Sequence, residues 1–314
     1  MASLRARVVV ATDFGGPDVL AVVDQEVGDP APGEVRLAVR AAGVNPIDVK
    51  VYSGALGTDR SQLPRRLGSE AAGVVTAVGD GVDVAVGEEV VAFRAPGAYA
   101  SELIAPADAI VSKPPALGWH EAAGLMLTGG TAVHTLTATD VGQGDTVLVH
   151  GGSGGVGLMA VQLARLRGAR VIATASERNH GLLRELGAEP VEYGDGLLER
   201  IRALAPDGVD AAVDLVGSDE ALDVSLALVE ERDRIASIAN FARAPEEGVQ
   251  LLGNGPGADP GQEIRYGARP ELARLAAEGR LRVVIAGAFP FDRAAEAHRQ
   301  VGSGHTTGKV VLVP

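Results

Sequence analysis

The sequence predicts an α/β protein with two domains, an all-β domain followed by a doubly wound parallel sheet. Up to about residue 120, short apolar runs are separated by turn signals, a spacing typical of a small barrel or sandwich. From His120 to about residue 285, strand-like and helical patterns alternate, as in a parallel α/β sheet. The length of 314 residues also exceeds the size at which a single hydrophobic core usually stops growing.

Each predicted element rests on an apolar run bounded by turn residues. In the all-β region we expect strands at Arg5–Val10, Glu34–Ala42, Ala71–Val78, Glu89–Phe93 and Tyr99–Ile104. Helical patterns follow at Glu121–Leu127 and Ala132–Thr137. For the parallel sheet we expect strands at Thr146–Val149, Ala169–Ala175, Glu189–Glu192, Val209–Leu215, Arg234–Ile238 and Arg282–Ile285. A helix over Asp292–Val301 and a strand over Lys309–Val313 follow.

Composition and charge exclude several classes of function. The formal net charge of −13 disfavours nucleic acid and anionic membranes as partners. The chain contains no cysteine, which excludes disulfides, thiolate catalysis and cysteine-rich zinc sites. The six histidines have no ligand-like spacing, so we predict no metal site. No stretch approaches about 18 apolar residues and no signal peptide is visible, so we expect a cytoplasmic protein.

A glycine-rich turn between a predicted strand and a predicted helix is the main functional signal. Gly152, Gly154 and Gly157 have the GxGxxG spacing, and the flanking patterns are those that a dinucleotide-binding turn requires. We expect Gly152 to supply the tight turn, Gly154 to admit a pyrophosphate, and Gly157 to let the helix pack closely. The predicted phosphate-binding residues are Gly152, Ser153, Gly154, Gly155, Val156 and Gly157. The alternative is a glycine-rich turn that binds no ligand.

The end of the second strand predicts which dinucleotide binds. Sites for NAD usually have an acidic residue about 20 residues after the glycine motif, where it holds the ribose 2′-hydroxyl. Here Ser176 occupies that place, and its small side chain leaves room for a 2′-phosphate that Arg178 would pair with. We therefore predict NADP (NADPH) as the cofactor. The alternative is that Glu177 holds the ribose and Arg178 is solvated.

Eight motifs in order give the chain a specific resemblance. They are AAGVNPIDVK (41–50), LGSEAAGVVTAVGDGV (67–82), VGEEVVAF (86–93), GAYASE (97–102), EAAGLMLTGGTA (121–132), GDTVLVHGGSGGVG (144–157), LGAE (186–189) and GHTTGKVVL (304–312). The sequence resembles the zinc-independent branch of the medium-chain dehydrogenase/reductases, to which quinone oxidoreductases and related enone reductases belong. The resemblance implies a GroES-like β-barrel catalytic domain at 1–120, completed by 286–314, and a Rossmann domain with a doubly wound parallel sheet at 121–285.

The resemblance also implies chemistry without zinc. In zinc-dependent relatives, metal ligands occupy the places where this chain has Asn45 and Ser69. The implied activity is NADPH-dependent reduction of a quinone or an activated C=C bond, including enoyl thioesters. Two alternatives stay open: a metal-free alcohol or carbonyl oxidoreductase, and an NADPH-binding protein with a non-redox or regulatory role. The partner would be a small-molecule quinone or enone.

Hydride addition to an enone or quinone requires donors for the developing oxyanion and a source of a proton. The resemblance implies that Asn45 and Asp48 lie beside the nicotinamide, and that Lys50 contacts the cofactor or the substrate oxygen. We assign Lys50 the role of electrostatic donor and Tyr52 that of proton donor. The alternatives are a turn at Asn45, a helix cap at Asp48 and simple packing of Tyr52.

Further cofactor contacts are implied by the same resemblance. They are Thr128, Thr131, Tyr193, Asn240, Phe241 and Lys309. The alternatives are helix capping for the threonines, packing for Tyr193 and a solvated position at the start of a strand for Lys309.

Two expectations concern the surface of the second domain. The glycine- and proline-rich segment Gly248–Pro270 predicts a long mobile loop that shapes a substrate pocket. Relatives often dimerise by extending the parallel sheet across an edge strand, so we expect a homodimer formed through Arg234–Ile238.

Overall fold

The computed structural model describes residues 4–314, which form two compact units. Residues up to Leu127 together with Pro270–Pro314 make the first unit, and Thr128–Arg269 make the second. The sequence patterns place these divisions at residues 120 and 285 instead. The first division differs because the helix at Trp119–Ala123 packs on strands of the first unit. The second differs because residues 270–285, which include most of the helix at Arg269–Ala277, group with the first unit.

The described residues contain sixteen strands and eleven α-helices. Up to residue 138 these are β1 (Leu4–Ala11), β2 (Leu20–Val27), β3 (Glu34–Val44), α1 (Pro46–Tyr52), β4 (Arg65–Arg66), β5 (Glu70–Val78), β6 (Glu89–Phe93), β7 (Glu102–Pro106), β8 (Ile110–Ser112), α2 (Trp119–Ala123) and α3 (Met126–Ala138). The next are β9 (Thr146–His150), α4 (Gly155–Leu166), β10 (Arg170–Thr174), α5 (His180–Glu185), β11 (Glu189–Val191), α6 (Leu197–Leu204), β12 (Ala211–Asp214), α7 (Asp219–Leu228) and β13 (Ile235–Ser237). The last are α8 (Arg243–Glu246), β14 (Gln250–Leu251), α9 (Gln262–Gly267), α10 (Arg269–Ala277), β15 (Ile285–Pro290), α11 (Ala294–Gly302) and β16 (Lys309–Val313).

The first unit is built from two sheets around one apolar core. Its larger sheet has seven strands in the order β15-β16-β3-β5-β6-β8, with β7 also paired to β3, and its smaller sheet has the order β2-β1-β4. Side chains from both sheets, among them Val9, Leu37, Ala92 and Leu312, meet in one buried cluster. The alternating apolar residues of these strands therefore face a shared interior, and the predicted barrel-type domain is confirmed.

The C-terminal segment returns to the first unit. β16 pairs antiparallel with β3, with Val310 opposite Val44, and β15 lies parallel to β16. This pairing places Lys309 beside the start of α1. It also corrects the assignment of Arg282–Ile285 to the parallel sheet, because the strand in this region is Ile285–Pro290 and pairs with β16.

The second unit contains a six-stranded parallel sheet in the order β11-β10-β9-β12-β13-β14. The chain moves outward from β9 to β11, then crosses to β12 and moves outward in the opposite direction. This order is that of the doubly wound dinucleotide-binding fold, so the predicted fold class is confirmed. Ligands of such sheets bind at the carboxyl ends of the strands, next to the point where the order reverses, here between β9 and β12.

The segment 248–270 is more regular than the sequence predicts. It contains β14, α9 and the start of α10, rather than one long mobile loop. His134 of α3 fixes it: its Nε2 lies 3.0 Å from Asp259 Oδ2, and Arg265 Nε donates to its Nδ1 at 3.3 Å. Gly261 packs against the same imidazole, where an added Cβ would lie 2.3 Å from the ring. Because β14 is the last strand, Arg234–Ile238 is not the edge strand that we expected.

Candidate functional site

The glycine turn of the second unit lies between β9 and α4, at the carboxyl edge of the parallel sheet. The neighbouring strand β10 fixes this turn, because Thr174 Oγ1 accepts from Gly151 N at 3.0 Å and Thr174 O accepts from Gly152 N at 2.9 Å. α4 begins after Gly154, and no side chain caps it. The first backbone N–H groups of a helix have no partner within the helix, so they are available to an anion here.

Each glycine of the turn is required for a different steric reason. Gly151 is the residue with positive φ (+76°), so it makes the tight turn that the sequence assigns to Gly152. Gly152 is required because an added Cβ would lie 2.7 Å from the Cβ of Ala173 in β10. At Gly157 an added Cβ would lie 2.2 Å from Gly151 O, so this glycine lets α4 approach the turn. Gly154, Gly155, Ser153 and Val156 line the same turn and the first helical residues, and all four are half-buried.

Residues that follow β10 and β11 flank the same edge of the sheet. Ser176 is half-buried and comes two residues after the end of β10, and Arg178 is exposed in the short 3-10 turn that follows. Tyr193 comes two residues after β11 and is 52% exposed. Because β10 and β11 are parallel neighbours, these residues project from the same edge as the glycine turn.

A buried polar group holds the turn after β13. Ser237 Oγ donates to Asp214 Oδ2 at 2.8 Å and accepts from the backbone N–H of Asn240 at 2.9 Å. Asn240 is itself buried, and its Oδ1 accepts from Arg243 N at 3.0 Å. Phe241 is half-buried and its ring packs against Gly255, where an added Cβ would lie 2.1 Å away. The backbone of 238–241 is thus fixed at the carboxyl end of its strand.

The two threonines predicted to contact the cofactor lie in the first turns of α3. Thr128 is 3% exposed and Thr131 is 6% exposed. Gly130 lies between them and is in van der Waals contact with Arg265, where an added Cβ would lie 3.5 Å from Arg265 Cβ.

The segment Asn45–Tyr52 of the first unit forms α1 and begins with a capping box. Asp48 Oδ2 accepts from the backbone N–H of Asn45 at 2.9 Å, and it also accepts from the Tyr99 hydroxyl at 2.8 Å. Burial raises the pKa of Asp48 to about 6, although both of these hydrogen bonds lower it. The capping role that was the alternative for Asp48 is therefore present in the structure.

Lys50 and Tyr52 differ sharply in exposure. Lys50 is exposed in the last turn of α1. Tyr52 is fully buried, and its hydroxyl lies 3.1 Å from His298 Nδ1. Burial raises the pKa of Tyr52 to about 12, and burial also lowers the pKa of His298 to about 4. These contacts favour the packing role of Tyr52 over that of proton donor.

Lys309 is not a solvated residue at the start of a strand. Its side chain is only 4% exposed, and its Nζ donates to Glu70 Oε1 at 2.8 Å, to Asn45 Oδ1 at 2.6 Å and to Val44 O at 3.2 Å. Asn45 Nδ2 also donates to Glu70 Oε1, at 3.0 Å. Three segments distant in sequence thus meet at one carboxylate.

Two family models match this chain, and its relatives cover nearly all of it. The model described as alcohol dehydrogenase GroES-like domain matches residues 31–115, and the model described as zinc-binding dehydrogenase matches residues 186–312. A quinone oxidoreductase of Pseudomonas aeruginosa is 35% identical over 96% of this chain and 97% of its own length. The chain belongs to the zinc-independent, quinone oxidoreductase-like medium-chain dehydrogenase/reductases.

Other members of this family extend the comparison. The 2-haloacrylate reductase of a Burkholderia species is 34% identical over 96% of both chains. The crystal structure of Escherichia coli quinone oxidoreductase complexed with NADPH superposes with a TM-score of 0.85 at 30% identity, over 98% of this chain and all of that one. The GroES-like and Rossmann assignments are therefore confirmed, and the chain is an oxidoreductase.

Within residues 4–314 the structure contains no group of three or more His, Asp or Glu side chains able to hold a metal ion. The same residues include no helix long and apolar enough to cross a membrane.

Sequence reasoning missed several polar residues that, within each unit, hold the segments carrying the candidate site residues. They are Glu70, Tyr99, Thr174, Asp214 and Ser237. Glu70 and Asp214 did carry a signal, since each is an acidic residue at one end of an otherwise apolar strand, where an unpaired charge is costly. Tyr99 and Thr174 carried none, because their partners come from segments distant in sequence.

Proposed function

We propose that this protein is an NADPH-dependent reductase that transfers hydride to a quinone or to a C=C bond conjugated with a carbonyl, including an enoyl thioester. The observation that carries the proposal is the uncapped start of α4 behind a turn that only glycine fits. Such a helix start offers N–H groups and a positive dipole end to a pyrophosphate. The E. coli relative crystallised with NADPH, together with a 2-haloacrylate reductase and quinone oxidoreductases among the relatives, supports this cofactor and this substrate class.

The residues at the edge of the parallel sheet fit NADPH better than NADH. Ser176 leaves space where an acidic side chain would exclude a phosphate, and the exposed Arg178 provides a guanidinium two residues later. Tyr193 is exposed beside them at the end of the neighbouring strand. We assign Ser176, Arg178 and Tyr193 to the adenosine 2′-phosphate, and the turn Gly152–Gly157 to the pyrophosphate.

Bound NADPH supplies the hydride, and the protein's own residues must stabilise the charge that develops on the substrate oxygen. Lys50 is the exposed cation of the segment 45–52, so we assign it the role of electrostatic donor. Asn45 and Asp48 are buried and hold the start of α1. Thr128, Thr131, Asn240 and Phe241 are assigned to the nicotinamide end of the cofactor.

The experiment is a fluorescence titration with NADPH and NADH, followed by 1,4-benzoquinone, an alkyl enone and an enoyl thioester. We expect selective NADPH binding and acceptor-dependent loss of the reduced-nicotinamide signal. Lys50→Ala should lower kcat by about 10²- to 10³-fold, the range typical of an electrostatic donor, while the exposed control Arg40→Ala should not. NADPH binding without oxidation by any acceptor would contradict a reductase and indicate a non-redox role.

The assembly and location of the protein are part of the same proposal. β14 is the last strand of the parallel sheet, and Leu251 O on its outer side already accepts from Asp259 N at 2.9 Å within the chain. By analogy with relatives we propose a homodimer, in the cytoplasm, where a chain without cysteine needs no oxidising compartment. Light scattering of the purified protein tests the dimer, and a monomer at micromolar concentration would contradict it.

A further inference from the structure

A buried ion pair in the first unit has no role in the function proposed so far. Glu70 and Lys309 are 0% and 3% exposed, and both lie next to Asn45, which is 1% exposed. Buried charges are costly unless they are paired and hydrogen-bonded, and such a pair adds little net stability compared with apolar side chains. Because the pair adds little to stability, we look for its role in fixing the geometry of the segments it contacts.

Every hydrogen-bonding group of this cluster is used. The three donors of the Lys309 ammonium go to Glu70 Oε1, Asn45 Oδ1 and Val44 O. The two donors of the Asn45 amide go to Glu70 Oε1 and Gly43 O. The second carboxylate oxygen, Glu70 Oε2, accepts from the backbone N–H of Leu127 at 2.9 Å.

The cluster is also closed sterically. An added Cβ at Gly43 would lie 2.3 Å from Glu70 Oε1 and 2.4 Å from Ala123 O, so the carboxylate is packed directly against backbone. Glu70 cannot move without breaking contacts to β3, β16 and the first turn of α3. Both donors of the Asn45 amide are therefore used inside the cluster.

We propose that Glu70 is a positioning residue of the reaction and that Lys309 fixes its carboxylate. Glu70 acts through two segments: Asn45, which begins α1 and so sets the direction of Lys50, and Leu127, which precedes Thr128 in the first turn of α3. A carboxylate at the N-terminal turn of a helix is also favoured by the helix dipole. The inference rests on the proposed function, since these two segments carry residues assigned to substrate and cofactor.

Glu70→Gln is the informative variant. It keeps the shape of the side chain but has one acceptor oxygen, whereas Lys309, Asn45 and Leu127 present donors to both carboxylate oxygens. One N–H group must then face the Gln amide nitrogen. Lys309→Met is the second variant, because it leaves the contact with Leu127 intact. Lys113→Met is the matched control: Lys113 is also 4% exposed and pairs with Glu89 at 2.8 Å, outside the cluster.

Single-turnover oxidation of NADPH separates positioning from stability. Glu70→Gln and Lys309→Met should slow it by about a hundredfold, the cost typical of a small misplacement of reacting groups. The NADPH Kd should change by less than about threefold, since only the arrangement of bound groups is altered. Lys113→Met, measured at the same distance below its own Tm, should keep the wild-type rate. An equal decrease of the single-turnover rate in Lys113→Met and in the two variants would overturn the positioning role.

Hydrogen–deuterium exchange tests the same inference without activity. In Glu70→Gln, amides of residues 126–131 should exchange faster than in the wild type, and in Lys113→Met they should not. Unchanged exchange in both variants would overturn the inference. If the wild type oxidises no NADPH with any acceptor, the proposed function fails, and the exchange result still decides whether Glu70 holds this turn.

Discussion

The hydroxyl of Tyr99 donates to Asp48 Oδ2 at 2.8 Å, and the same oxygen accepts from the backbone N–H of Asn45. Tyr99 and Asp48 are both buried, at 0% and 4% exposure. The start of α1 is therefore held by a carboxylate that is fixed from a segment about fifty residues later in the chain. This relationship links the segment that carries Lys50 to the core of the first unit.

Tyr99→Phe should destabilise the first unit. The substitution keeps the ring and removes one hydrogen bond to a buried carboxyl group, so we expect a loss of about 1 to 3 kcal/mol in the free energy of unfolding. Urea denaturation measures it. Tyr193→Phe is the control, because Tyr193 is 52% exposed. A substitution at such a surface position should change the free energy of unfolding by no more than about 0.5 kcal/mol. Equal effects would contradict a specific role of the Tyr99 hydroxyl.

The pH dependence of stability should report Asp48. Burial raises its pKa to about 6 in the folded protein, from 3.8 for the unperturbed group. The folded state then binds the proton more tightly, so this group's contribution to stability is full below pH 4 and is lost as the pH rises to about 6.

Asp48→Asn should remove that pH-dependent contribution. The amide resembles the protonated carboxyl group, so the variant should become more stable relative to the wild type between pH 4 and 7, by up to about 3 kcal/mol. Urea unfolding of both proteins across this range measures the difference. A constant difference at all pH values would contradict the raised pKa.

Arg178→Ala should change the cofactor preference. Loss of a charge-assisted contact with the 2′-phosphate should raise the NADPH Kd by about tenfold or more and leave the NADH Kd unchanged. Arg184→Ala is the control, since Arg184 is an exposed arginine in the following helix α5. If Arg178→Ala raises the Kd for NADPH and for NADH by the same factor, Arg178 does not bind the 2′-phosphate.

Gly157→Ala should distort the glycine turn. Its Cβ would lie 2.2 Å from Gly151 O, so the backbone must move, at a cost of about 1 to 3 kcal/mol in stability, together with weaker NADPH binding. Gly181→Ala is the matched control, because no atom lies within 4 Å of its added Cβ and it lies in the exposed part of α5. The free energy of unfolding of that variant, measured by thermal denaturation, should rise by up to about 1 kcal/mol. Wild-type NADPH affinity in Gly157→Ala would contradict our account of the turn.

The sequence was sufficient for the fold and for the location of the glycine turn, because both depend on local patterns. Thr146–Gly157 encodes strand, turn and helix within twelve residues, and the order of such units fixes the parallel sheet. The steric role of Gly151 was missed, since spacing alone does not show which of two adjacent glycines takes positive φ. The regular structure of 248–270 was missed because His134, which anchors it, lies more than a hundred residues earlier.

The candidate site depends on contacts that sequence patterns do not contain. From the sequence, Lys309 is interpreted as a solvated residue at the start of a strand. In the structure, the pairing of β16 with β3 places it in the interior beside Glu70. From the sequence, Tyr52 is interpreted as a proton donor near Lys50. In the structure, its hydroxyl contacts His298 in the core. In both cases long-range strand and helix packing decides the environment of the side chain, and local propensity has no information about it.

Transfer of deuterium from NADPH labelled at nicotinamide C4 tests the central claim most directly. With each C4 stereoisomer in turn, an alkyl enone is reduced and the product is analysed by mass spectrometry and NMR. We predict that one stereoisomer delivers deuterium to the carbon β to the carbonyl, in proportion to the NADPH oxidised. Product formed without deuterium from either stereoisomer, or NADPH oxidised without product, would contradict direct hydride transfer by this protein.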